Sequence, residues 1–216
     1  MAISRFPPVS HADKNGLVAV GGDLEPESLL LAYQNGIFPW PIDEETLTWF
    51  SPAQRGVVFL ESFHVPRSTV RELKRSRFEY KIDHDFRGVM ERCAEVVNRG
   101  NQFGTWITPQ MIEGYCDFFD AGYCHSFETY LDGTLVGGMY GVRIGRYMAA
   151  ESSFYRVPSA SKGAMCFMVD YLRKEGIEWF DCQQVTPFSR SFGAQELPRN
   201  QFIELLTNTI ESSQYY

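Results

Sequence analysis

The dipeptide Asp132-Gly133 separates two stretches of alternating apolar and polar residues, 125–130 and 134–140. Asp-Gly at that spacing predicts a tight hairpin, because both central residues of such a turn need positive φ. The consequence reaches far along the chain. A further turn within residues 142–147 and a strand over 147–154 extend the hairpin into an antiparallel meander. The spacing of Ala164, Phe167, Met168, Tyr171 and Leu172 then predicts a helix over 159–174. That helix leads into Trp179-Phe180-Asp181-Cys182-Gln183, an aromatic strand with Gly176 before it and Pro187 after it. A meander, a crossing helix and a returning strand point to an α+β sheet domain.

Around this segment the pattern is mixed. Val57-Val58-Phe59-Leu60 reads as a strand. Helices are predicted over 68–76, capped by Ser68 after Pro66, and over 86–98, with Val89, Met90, Cys93, Val96 and Val97 at helical spacing. A third helix opens at Thr108-Pro109 and a last one covers 199–212. The first 56 residues are turn-rich. A strand at Leu17-Val18-Ala19-Val20 and a short helix from Pro26 to Gly36 precede the aromatic–proline corners Phe38-Pro39-Trp40-Pro41 and Trp49-Phe50-Ser51-Pro52. Asp43-Glu44-Glu45 reads as an exposed loop. The expected division is a small N-terminal α+β domain, 1–56, and a larger domain, 57–216.

At 216 residues with 44% hydrophobic and 22% charged, the chain is ordinary globular material. No apolar run is long enough to span a bilayer, and the start lacks the features of a signal peptide. Five cysteines, odd in number and without a C-x-x-C pair, read as free thiols in a reducing cytosol. The four histidines are scattered without ligand spacing, so no metal is expected. A net charge of -7 argues against non-specific nucleic-acid binding and leaves room for a local basic patch.

Four places could carry chemistry. Asp181 and Gln183 share one face of a strand by alternation, with Cys182 opposite. They either cap and satisfy the following turn or act together on a substrate. Glu151 is the one acid in the small-residue strand Met148-Ala149-Ala150-Glu151-Ser152-Ser153-Phe154. It either pairs with Arg156 or Lys162 or binds a ligand. Trp106, ahead of a helix, is a stacking platform for a base or a core residue. Arg67, Arg71, Lys74 and Arg75 share a helix face, which is either solvated or set for phosphates. Gly137-Gly138-Met139-Tyr140-Gly141 matches no nucleotide-binding pattern, and no G-x-S-x-G elbow is present.

Taken together, these blocks resemble the leucyl/phenylalanyl-tRNA–protein transferases. The resemblance runs from about Gly16 to Arg199 and rests on collinear segments. They are Gly21-Gly22-Asp23-Leu24, Ala32-Tyr33-Gln34-Asn35-Gly36-Ile37-Phe38-Pro39-Trp40, Gly104-Thr105-Trp106-Ile107-Thr108, Val136-Gly137-Gly138-Met139-Tyr140-Gly141-Val142, Glu151-Ser152, Ala160-Ser161-Lys162 and Asp181-Cys182-Gln183. It implies an acetyltransferase-like (GNAT-like) catalytic domain akin to that of peptidoglycan-building aminoacyl transferases.

The implied reaction moves Leu or Phe, with Met a further candidate, from tRNA to the α-amine of proteins beginning with Arg or Lys. The product is tagged for degradation. The resemblance assigns catalysis to Asp181 and Gln183, with Asp181 holding the Gln183 amide. Glu151 attracts the cationic acceptor. Trp40 and Trp106 flank the terminal adenosine or the aminoacyl group. Tyr33 joins the substrate site. Met139, Ala150, Ser153, Met165, Met168 and Phe180 line the side-chain pocket. Met168 stands where a Phe is expected, and Ser153 where a Met is expected.

The face from Arg67 to Arg75 would touch the tRNA acceptor stem. No cofactor or metal is implied, the location is cytoplasmic and the chain acts as a monomer, with no membrane partner. Two alternatives stay open: an acyl-CoA-dependent N-acetyltransferase and a non-catalytic RNA-binding module.

Overall fold

The computed structural model describes residues 2–43, 46–96, 98–99, 102–103 and 106–212. Glu44 and Glu45 of the acidic loop, Val97 of the expected second helix, and Gly104 and Thr105 before Trp106 lie outside them. After a 3-10 turn at Val9–His11, the elements run β1 (Leu17–Val20), α1 (Pro26–Gln34), β2 (Phe38–Pro39), β3 (Thr48–Phe50) and β4 (Gln54–Phe59). Next come α2 (Arg67–Arg75), β5 (Glu79–Ile82), α3 (Phe86–Ala94), β6 (Asn98–Arg99), β7 (Gln102–Phe103) and α4 (Pro109–Asp120). The meander β8 (Cys124–Leu131), β9 (Thr134–Ile144) and β10 (Tyr147–Tyr155) leads to α5 (Ala160–Lys174) and β11 (Trp179–Gln183). Then α6 (Pro187–Arg190), β12 (Gln195–Pro198) and α7 (Arg199–Ser212) close the described chain.

The Asp132-Gly133 turn forms as expected: φ is 49° at Asp132 and 76° at Gly133, and Leu131 lies opposite Thr134. The large sheet has seven strands in the order β12-β4-β11-β10-β9-β8-β5. Every recorded neighbour pair in it is antiparallel except β10–β11, which α5 connects as a parallel crossover. A three-stranded sheet, β1-β3-β2, forms the N-terminal unit with α1. Strand β4 already begins at Gln54 and pairs with both β11 and β12.

Alternation along the strands splits the core into two layers. Val58, Met139, Met148 and Phe180 pack beneath Ala164, Met165, Met168, Val169 and Leu172 of α5. Their neighbours Val57, Tyr140, Ala149 and Trp179 point to the other face, where α1, α3, α4 and α7 cover them. Close helix–sheet contact explains Gly137: a Cβ there would lie 2.5 Å from the Ala160 Cβ at the start of α5.

Two helix boundaries depart from the sequence reading. The Pro66 carbonyl already accepts the Val70 amide at 3.0 Å, so α2 starts one residue before Ser68, and Ser68 caps nothing. Helix α3 stops at Ala94; Glu95 is drawn to Arg92 and Arg156, and Asn98 pairs with Phe103 in a short ladder. Strands β5 and β12 carried too little apolar alternation to be read from sequence. Among the described residues no helix is long and apolar enough to cross a membrane.

Candidate active site

The parallel strands β10 and β11 are in register at Ala149–Asp181, and both are irregular just beyond it. In β10 the pairing with β9 jumps from Ala150–Gly141 to Ser152–Tyr140, leaving Glu151 as the extra residue. In β11 the pairing with β4 jumps from Asp181–Val57 to Gln183–Gly56. Such bulges re-aim side chains and end regular pairing. Here they bring Glu151 and Gln183 together: Gln183 Nε2 donates to Glu151 Oε1 at 2.8 Å. The chain then turns tightly, with φ of 62° at Gln183 and the Gln184 amide returning to the Cys182 carbonyl at 2.6 Å. Gly56 makes room for that turn, since a Cβ there would lie 2.8 Å from the Gln184 backbone.

Asp181 and Gln183 come together, but not as expected. Asp181 Oδ1 accepts the backbone amide of Gln183 at 2.8 Å and does not touch its side-chain amide. The positive φ at Gln183 breaks the strand alternation that would have set the two side chains parallel. Instead Asp181, fully buried, is bound by Arg55: Nε at 2.9 and 3.0 Å from the two oxygens and Nη2 at 2.6 Å from Oδ2. The Tyr147 hydroxyl donates to the same Oδ2 at 2.7 Å. The Arg55 guanidinium lies 4.6 Å from the ring centres of both Phe38 and Phe202. Burial alone would lower its pKa, but the Asp181 carboxylate overrides this and holds it charged, above its ordinary range. This cation links the N-terminal unit, β11 and α7. Arg55 was missed in the sequence; the signal available was an Arg opening the apolar run Val57-Val58-Phe59.

Glu151 is half-buried and takes neither cation offered by the sequence. Arg156 pairs with Glu95 at 2.6 Å, and Lys162 with Glu72 at 3.7 Å. Burial pushes the Glu151 carboxyl up to about 7; the Tyr33 hydroxyl and Gln183 amide pull against this, and the Asp181 charge adds to the rise. The Tyr33 and Tyr115 hydroxyls are 2.5 Å apart behind it. Two buried acceptors at the site, Glu151 Oε2 and Gln183 Oε1, have no hydrogen-bond partner. Unpaired buried acceptors are costly, and a donor entering the site recovers that cost. Cys182 offers no alternative chemistry, since burial pushes its thiol up to about 12 and keeps it protonated.

The remaining residues singled out in the sequence fall on the two faces of the sheet. On the α5 face, Met139, Ala150, Met165, Met168 and Phe180 pack in one apolar cluster, and Ser153 stands opposite Met139. Met168 and Phe180 are fully buried in that cluster. On the other face Trp40 and Trp106, both half-buried, touch with ring centres 6.2 Å apart and a 45° tilt. The two rings therefore pack on one another directly. Trp40 also faces a cleft of about 340 Å³ shared with Phe38, Pro41, Phe50 and Gln184.

Arg67, Arg71, Lys74 and Arg75 are exposed on α2, and among the described residues no ion pair neutralises them. The one acid on that helix, Glu72, turns away to Ser159 Oγ and Lys162 at the start of α5.

A family profile described as leucyl/phenylalanyl-tRNA protein transferase matches residues 57–207, and the profile of its N-terminal domain matches residues 22–53. A leucyl/phenylalanyl-tRNA–protein transferase of Chromobacterium violaceum is 44% identical over 211 residues, covering 97% of this chain and 90% of that protein. One of Nitrosomonas eutropha is 45% identical over 203 residues, covering 93% and 86%. Among solved structures, FemX shares the fold, with a TM-score of 0.54 at 12% identity over 84% of this chain and 71% of that one.

Proposed function

Because the chain belongs to the leucyl/phenylalanyl-tRNA–protein transferase family, and is thereby an aminoacyltransferase, we propose that it moves Leu or Phe from the 3′ end of tRNA to the α-amine of proteins beginning with Arg or Lys. The observation that carries the residue-level reading is the pair of unpartnered buried acceptors, Glu151 Oε2 and Gln183 Oε1. An α-ammonium group is a compact cluster of N–H donors and matches them.

An aminoacyl ester is already activated. The barrier therefore lies in orientation, proton removal and oxyanion stabilisation. An amide has no pKa suited to proton abstraction, so Gln183 acts by orienting the amine through Oε1. Asp181 acts indirectly, fixing the Gln183 turn through its backbone amide while Arg55 and Tyr147 fix Asp181. Glu151 attracts the cationic amine. The methionine-rich cluster takes the Leu or Phe side chain, with the adaptability of Met168 suited to either. Tyr33 supports Glu151, and the Trp40–Trp106 pair takes the terminal adenosine on its outer side. Arg67, Arg71, Lys74 and Arg75 contact acceptor-stem phosphates with little sequence reading.

This reading goes with a small unit, 1–56, set on an acetyltransferase-like catalytic unit, 57–216, acting as a cytoplasmic monomer. Product tagging for degradation follows from the same reading.

The acyl-CoA alternative has a specific obstacle. A pyrophosphate would need the N-terminus of α5, where the Glu72 carboxylate already contacts Ser159 and Lys162. The test supplies radiolabelled Leu-tRNA and acetyl-CoA in parallel to an Arg-led peptide. Label arriving from tRNA alone supports the reading; label arriving from acetyl-CoA alone, or from neither, overturns it.

A further inference from the structure

Asp181 cannot serve as the base for the incoming amine. Oδ1 is engaged by Arg55 Nε and the Gln183 amide; Oδ2 by Arg55 Nε, Arg55 Nη2 and Tyr147. It is fully buried and ion-paired, with no oxygen left for a substrate. Gln183 has no basic group. The proton that must leave the ammonium therefore has to go elsewhere. Glu151 stands one hydrogen bond from Gln183, and its second oxygen is unused.

We propose that Glu151 is the proton acceptor of the transfer step: Oε2 takes a proton from the acceptor's α-ammonium while Gln183 Oε1 holds the nitrogen in line. This rests on the aminoacyl-transfer reading and deepens it. Proton transfer to the Glu151 carboxylate leaves a neutral amine. Its lone pair forms the C–N bond at the ester carbonyl, whose π pair moves to the oxygen. When that pair returns, the bond to the 3′ oxygen of the terminal ribose breaks. A second proton from the former ammonium goes to that oxygen. The products are an amide and a 3′-hydroxyl, and the proton on Glu151 passes to water.

The surroundings suit this role. A base works best when its pKa lies near the operating pH, and burial holds the Glu151 carboxyl near 7. The groups facing it come from several elements. Tyr33 from α1, Tyr115 from α4, Tyr147 from β10 and Cys124 from β8 are all buried and pushed up, so they stay neutral. Arg55 and Asp181 form a closed ion pair. Tyr140 on β9 stands behind Tyr115.

The experiment compares two acceptors in single-turnover transfer from Leu-tRNA at pH 7: an Arg-led peptide, and its analogue with an aminooxy group for the α-amine. The aminooxy nitrogen is already neutral and needs no base. Glu151→Gln is expected to slow the amine by up to about tenfold, since about a tenth of an α-amine is already neutral at pH 7, and the aminooxy analogue by less than about twofold. Glu151→Asp, with its carboxylate withdrawn by one methylene, is expected to show the same selective loss in smaller measure, and supplies the reading if E151Q does not fold. Equal losses on both acceptors overturn the proposal while leaving the transferase reading intact. Wild-type protein that transfers to neither acceptor overturns both.

Discussion

Arg55 grips both oxygens of Asp181, with Nε at 2.9 and 3.0 Å and Nη2 at 2.6 Å, and the pair is buried between Phe38 and Phe202. Asp181 thus anchors the turn that carries Gln183. Removing one partner leaves a buried charge uncompensated, at a cost of about 3–5 kcal/mol. Asp181→Ala and Arg55→Ala are each expected to lose stability on that scale as well as transfer activity. The double variant Arg55→Met/Asp181→Leu is expected to regain much of the stability and none of the activity. Denaturant midpoints and transfer rates on the three variants check this. A stable, inactive Asp181→Ala would instead make Asp181 purely catalytic.

The backbone at Gln183 separates two roles of one residue. Its φ of 62° is left-handed, where a glycine is favoured over alanine by about 1 kcal/mol. Gln183→Gly is expected to be the more stable variant by that margin over Gln183→Ala. Both are expected to lose transfer by at least about tenfold, since both lack the amide. Thermal melts and single-turnover rates decide the matter, and an active Gln183→Gly would remove the side chain from the mechanism.

Glu151 imposes a pH-dependent cost on the fold. Its carboxyl titrates near 7 when folded and at about 4.3 when unfolded. The folded state holds the proton more tightly, so this contribution is complete below about pH 4.3 and is lost as pH rises through 7. Glu151→Gln is therefore expected to be more stable than the wild type at pH 8, by about 1–3 kcal/mol. That advantage is expected to fade by pH 5. Unfolding curves at the two pH values measure it; a gap that does not change with pH would mean that Glu151 titrates normally.

Charge reversal on α2 is expected to act on tRNA and not on the acceptor. Arg71 and Arg75 are exposed and unneutralised among the described residues. Each phosphate contact contributes about 0.9 to the slope of log affinity against log salt. Arg71→Glu/Arg75→Glu is expected to weaken tRNA binding and reduce that slope by about two. Filter binding at several salt concentrations reads it, and an unchanged slope would place the stem elsewhere.

Much of the fold was legible because its signals are local. The Asp132-Gly133 turn, the apolar stripe of α5 and the Thr108 cap each specify their element within a few residues. Glu151, Asp181 and Gln183 stood out as polar residues in apolar strands for the same reason. What stayed hidden depended on partners distant in the chain. Arg55 meets Asp181 across 126 positions. The two bulges that aim Glu151 at Gln183 arise from pairing with β9 and β4, which alternation in a single strand cannot reveal. That is why the side-chain amide of Gln183 was assigned to Asp181 when Glu151 holds it.

The central claim is that Glu151 Oε2 and Gln183 Oε1 await an ammonium group. Calorimetric titration with an Arg-led peptide and with its N-acetylated counterpart, in the presence of a non-hydrolysable aminoacyl-adenosine, tests it most directly. The free amine is expected to bind at least about tenfold more tightly, or about 1.4 kcal/mol, with the difference abolished in Glu151→Gln. Equal affinity for the two peptides in the wild type would contradict the claim.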